Sequence, residues 1–184
     1  MPQMNSDRTL TELIIKASTQ AFADWRAAFP DERVFAFALS TLDDAIYVNA
    51  SLNSEESHAR TIAKRELEPS SAHALDAKWG PWEWENEFTG QSHFNSVDDR
   101  LKQMYDEMHE DSFAEFRTTV LDSMLQALVQ LKDEGIITNN GNPTGIALFA
   151  TIYDSFQAEE MHRRSAEMLN SQEAAAELLS VIGG

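Results

Sequence analysis

Two apolar runs do most to limit what this chain can fold into. Val34-Phe35-Ala36-Phe37-Ala38-Leu39 is continuously apolar, and the stretch from Gly145 to Tyr153 carries Ile146, Leu148, Phe149 and Ile152. A strand with one wet face alternates apolar and polar residues. Runs like these read instead as strands covered on both faces. Ile46-Tyr47-Val48-Asn49 follows the turn at Asp43-Asp44 and reads as the hairpin partner of the first run. Strands near residues 34–39, 45–49 and 146–152 are therefore expected to share one sheet.

Most of the remaining chain reads as helix. Leu10, Leu13, Ile14, Ala17, Ala21, Trp25 and Ala28 recur at helical spacing behind a Thr9-x-x-Glu12 capping box, and this helix ends near Pro30. Ser54 followed by Glu55 and Glu56 starts a short helix that runs to about Lys64. Pro69, Ser70, Ser71 and Gly80 mark residues 68–80 as a loop. A helix is expected from Phe94 to Tyr105. Another runs from Ser112 to Glu134, with Phe113, Phe116, Val120, Leu121, Met124, Leu128 and Leu131 on one side and Gly135 just past its end. Residues 157–169 and 171–182 supply two closing helices. The order α-β-β-α-α-α-β-α-α predicts the α+β class: a small, mostly antiparallel sheet packed against several helices. With no internal repeat and no linker, residues 1–184 read as a single domain.

Charge narrows the partners. Thirty-one acids against 14 bases leave a formal charge of −17. That excess repels nucleic acid and anionic membrane and attracts basic proteins. Almost half of it falls between Glu83 and Glu115, where ten carboxylates face only Arg100 and Lys102, a local net of −8. Glu83, Glu85, Asp98, Asp99, Asp106, Glu107, Glu110 and Asp111 are the expected face for a basic protein partner, with Trp84 as its aromatic anchor. Trp79 and Trp82 are expected to cap the core around the turn at Pro81.

Other chemistry is limited by what the chain carries. It has no cysteine, which excludes disulfides, thiolate catalysis and cysteine-based zinc or iron–sulfur sites. The N-terminal residues lack a signal-peptide apolar stretch, and no run approaches the ~18 apolar residues of a membrane helix, so the expected location is the cytoplasm. Asp106-Glu107-Met108-His109 and Glu159-Glu160-Met161-His162 each place a carboxylate three residues before a histidine, on one helix face. Carboxylate-bridged di-iron bundles use this element, but they need two further glutamates from other helices of a four-helix bundle. With strands predicted, both repeats read as solvated helix faces. No metal or cofactor is expected, and no catalytic residue is singled out, since no nucleophile elbow, phosphate loop or zinc-protease motif occurs. The alternative to a binding module is an enzyme using Asp, Glu and His on a small cationic or metal-bound substrate.

Four features in order resemble a bacterial family known as domain of unknown function 4303. They are the opening amphipathic helix, the Phe35-Ala36-Phe37-Ala38-Leu39 strand with its hairpin, the Lys78-Trp79-Gly80-Pro81-Trp82-Glu83-Trp84 segment, and the late Leu148-Phe149 strand leading to Asp154-Ser155. The resemblance runs from about Leu10 to about Asn170 and carries over no catalytic residues. It brings an association of some relatives with secreted toxins, as immunity proteins. An acidic chain is what such a role against a basic nuclease toxin requires.

Overall fold

The computed structural model describes residues 4–155 and 157–180. In chain order the elements are α1 (Arg8–Ala28), β1 (Val34–Leu42), β2 (Asn49–Ser54), α2 (Glu55–Arg65), α3 (Ala72–Trp79), α4 (Asn95–Asp106), α5 (Phe113–Asp133), β3 (Ala147–Tyr153), α6 (Ala158–Leu169) and α7 (Gln172–Leu179). The class is α+β. The strands form one sheet in the order β2-β1-β3, with β1 hydrogen-bonded on both sides.

Alternation along the strands sorts the interior into two layers. Phe37, Leu39, Leu52, Leu148, Ala150 and Ile152 join Ile14, Val97, Leu101, Val120, Met124 and Leu128 in the main core, under α1, α4 and α5. Ala36, Ala38, Ala147 and Phe149 join Trp79, Trp84, Ala166, Ala175 and Leu178 on the opposite face, under α3, α6 and α7. The continuously apolar runs are therefore strands with a helical layer on each side.

The sheet is mixed and not mostly antiparallel. β1 runs antiparallel to β2 but parallel to β3, with Ala36 opposite Ala147 and Leu42 opposite Tyr153. A parallel neighbour needs a crossover, and α2 to α5 lie between β2 and β3 in the chain. The second strand also begins later than its hydropathy predicts. Ala45 and Val48 are buried as loop residues, and Ala45 takes a positive φ of 56°. The true strand, Asn49-Ala50-Ser51-Leu52-Asn53-Ser54, is buried throughout although four of its six residues are polar. Hydropathy could not mark it.

Caps differ from expectation too. Asp7 and not Thr9 caps α1, its carboxylate accepting the Leu10 N–H at 2.6 Å. The expected loop at 68–80 contains α3, started by Ser71, whose hydroxyl accepts the Ala74 N–H.

Two asparagines extend the sheet with their side chains. Asn139 accepts the Val34 N–H at 2.9 Å and donates to the Val34 carbonyl at 2.7 Å. Asn170 treats Leu148 in the same way, at 2.8 Å for both bonds. Each carboxamide stands in for a strand neighbour. Among the described residues no helix is long and apolar enough to cross a membrane.

Candidate functional site

The tryptophan segment builds one wall of a cavity. The Gly80 N–H closes α3 on the Asp76 carbonyl at 2.7 Å, and Pro81 then starts a single 3-10 turn. A Cβ at Gly80 would meet the Trp82 ring at 2.8 Å and the Asp76 carbonyl at 2.9 Å, so no larger residue fits without a shift. This turn sends the three rings to different places. Trp79 is buried edge-on against Phe35. Trp84 is 4% exposed, edge-on to Phe149 at 5.9 Å, and its Nε1 donates to the Lys78 carbonyl. Trp82 is 51% exposed and meets Tyr153 edge-on at 6.2 Å.

These placements correct two expectations. Trp84, expected as an exposed anchor, is instead packed into the core. Trp82 was expected to cap the core and instead stands at the surface. Alternation with Glu83 and Glu85 does turn Trp84 away from the acids, but the direction away from them is inward.

The cavity has a volume of about 750 Å³. It opens where β3 ends, on the face under α3, α6 and α7, at the carboxyl ends of the parallel β1–β3 pair. β3 and its continuation contribute Thr151, Tyr153, Asp154 and Ser155, α6 contributes Ala158, Glu159 and His162, and the tryptophan segment contributes Asp76, Trp79, Trp82 and Glu87. Four carboxylates and three large aromatic rings thus line one space, and among the described residues no Lys or Arg lines it. The nearby Arg117 is held by Asp43 at 2.8 Å and by Ser155 at 3.1 Å.

Burial shifts the groups here. It raises the Tyr153 hydroxyl well above the usual tyrosine range. Burial also raises the Glu87 carboxyl; proximity of the Tyr153 hydroxyl opposes this and the Glu83 charge adds to it. The Tyr153 hydroxyl lies close to Glu87 and Ser40. Still, it reaches full hydrogen-bond geometry with no side chain or backbone group among the described residues. The His162 imidazole packs on Phe149 at 4.8 Å, is 7% exposed, and has no partner for Nε2 among those residues. Burial alone holds its pKa down to about 4.

The sign of that shift has a consequence. An unfolded chain binds this proton below about pH 6.5, and the folded chain only near pH 4. The stability at stake is complete above pH 6.5 and is lost as the pH falls toward 4, about 3 kcal/mol in all. Urea unfolding at pH 7 and pH 4.5 tests this. Between those two values the wild type should lose about 2 kcal/mol more stability than His162→Leu.

The acidic stretch does not form one face. Glu83 pairs with Arg65, and Glu85 pairs with Arg60 at 3.0 Å, on the side of the sheet that holds the cavity. Asp98, Asp99 and Asp106 stand on α4, which joins the core on the other side. The sheet lies between the two groups. Beyond α4 the chain turns a corner into α5. Here Tyr105 and Phe113 are 45% and 37% exposed, and Tyr105 sits edge-on to Phe116 at 5.8 Å. Asp106, Glu107, Asp111 and Glu115 surround this corner, all exposed, and the Glu110 side chain lies outside the described residues. The two local bases are engaged: Lys102 pairs with Asp106 and Arg100 with Asp7, each at 2.8 Å.

One sequence signal points toward the cavity. Glu159-x-x-His162 does put both groups on one side of a helix, but that side faces the cavity and His162 is buried in it. His109 of the first repeat is exposed. No three carboxylate or imidazole groups among the described residues come together to hold a metal ion.

A three-layer α+β domain with an acidic, aromatic-lined cavity at its parallel strand ends defines the structural class. The chain belongs to the family described as Domain of unknown function (DUF4303), whose model matches residues 10–171. No curated protein and no solved structure matches it.

Proposed function

We propose that the protein acts as a binding module for a basic protein partner, in the manner of an immunity protein that neutralises a basic toxin. The observation that carries this reading is the corner between α4 and α5. Two exposed aromatic rings lie there among exposed acids whose neighbouring bases are already engaged. A few anchor residues, often tryptophan, tyrosine or arginine, supply most of the affinity in a typical interface, while a one-signed rim mainly raises the association rate. Tyr105 and Phe113 take the anchoring role first expected of Trp84, with Asp98, Asp99, Asp106, Glu107 and Asp111 as the steering field. Glu83 and Glu85 belong to the other side of the sheet.

The test is association with the protein encoded by the neighbouring reading frame, measured as a rate over a salt series. Reversing Asp99, Asp106, Glu107 and Asp111 to lysine should slow association by about 10- to 1000-fold at low salt, because steering contributes factors of that size. The reversal should leave the unfolding midpoint nearly unchanged, since exposed pairs add little stability. Tyr105→Ala should mainly speed dissociation. A basic neighbour whose association ignores both salt and the reversal would sink the reading, as would a neighbour that does not bind.

A further inference from the structure

We propose that the cavity at the carboxyl ends of β1 and β3 is a binding site for an organic cation of small-molecule size. The inference is independent of the protein-binding corner, which lies on the other side of the sheet.

Three observations set the chemistry of the ligand. The first is charge. Asp76, Glu87, Asp154 and Glu159 line the space without a Lys or Arg among the described residues. A cleft lined by charges of one sign focuses a negative potential into it. His162 stays neutral at physiological pH and adds no opposing charge.

The second is the aromatic lining. Trp82 and Tyr153 meet at an interplanar angle of 83°. Two rings at a right angle form the corner of a cage, and ring faces attract an ammonium or guanidinium group within about 6 Å. Half of Trp82 stays exposed beside the cavity it lines, so the ring is open to a ligand there.

The third is size and spread. A cavity of about 750 Å³ falls within the range of small-molecule sites, roughly 300–1,000 Å³. The carboxylates are distributed around the wall, and among the described residues no three groups converge as a compact metal ion would require. Diffuse positive charge on an organic frame matches that distribution better than a point charge does. The buried His162 Nε2, without a partner among the described residues, is a further polar group beside the cavity that such a frame can satisfy after a small side-chain adjustment.

The experiment is a titration with benzyltrimethylammonium, followed by tryptophan fluorescence and by calorimetry, with benzyl alcohol as the uncharged comparison. The ammonium compound should bind saturably, and at least tenfold more tightly than the alcohol. Trp82→Ala and the double variant Glu87→Gln with Glu159→Gln should each weaken it at least tenfold, while reversal of the α4 acids should not. Thermal unfolding checks that the variants remain folded. If Trp82→Ala fails that check, the shape-conserving double variant decides alone. Absence of saturable binding, equal affinity for the alcohol, or indifference to the variants that fold would overturn the proposal.

Discussion

Trp84→Ala should destabilise the protein by about 3–5 kcal/mol, the loss typical of a large aromatic cut out of a core. Small domains hold only about 5–15 kcal/mol in total, so this one change removes a large part of it. The ring is almost wholly buried and packs on Phe149, itself inaccessible to solvent. It also donates to the Lys78 carbonyl through Nε1 at 3.1 Å, and alanine leaves that acceptor only the longer 3.4 Å bond from the Asn53 carboxamide. Trp82→Ala, two residues away, should cost about 1 kcal/mol or less, because half of that ring is already in water. Urea unfolding of both variants measures the contrast. Equal effects would mean that the two rings are not divided between core and surface as described.

The second large effect belongs to Asn170. Its carboxamide holds both the N–H and the carbonyl of Leu148 on the free edge of β3, and also reaches the Ala166 carbonyl at 3.1 Å. Asn170→Ala strips three bonds at once and leaves backbone groups of a 5%-exposed residue without partners. Unsatisfied buried groups cost about 1–3 kcal/mol each, and water reaching the edge offsets part of that, so a loss of about 2–4 kcal/mol is expected. Asn170→Asp keeps the acceptor and loses the donor, and should fall between alanine and the wild type. Amide exchange at Leu148 gives a local readout: protection there should drop in Asn170→Ala by more than the global stability loss explains. Unchanged protection at Leu148 would show that the asparagine does not extend the sheet.

Legibility varied with how local the governing physics is. β1 and β3 could be read because burial on both faces needs an apolar residue at nearly every position. β2 could not, since Asn49, Ser51, Asn53 and Ser54 are polar residues placed inside the protein. Asn53, for example, donates to the Ala77 carbonyl at 3.1 Å across to α3. The buried polar strand depends on partners more than twenty residues away, which no hydropathy window contains. α3 is hard to read in the sequence for the opposite reason. Its eight residues are too few to show a periodic stripe, and only the Ser71 cap marks its start.

For function, the acidic character and the tryptophan-rich turn were evident from the residues alone, and their arrangement was not. Charge is a sum over residues and survives any fold. The two-faced burial of β1 and β3, the helical stripe of α5 and the membership of one α+β layer system likewise follow from residue order, because side-chain alternation and helical spacing repeat over a few positions. The direction of β3 against β1, the division of the acidic stretch between two sides of the sheet, the burial of Trp84 with exposure of Trp82, and the meeting of Asp76, Glu87, Asp154, Glu159 and His162 around one cavity were decided only in three dimensions. Those groups come from segments up to 86 residues apart, from Asp76 to His162. What brings them together is the crossover through α2 to α5, which returns the chain parallel to β1, and the turn after β3, which lays α6 back along the face of that strand.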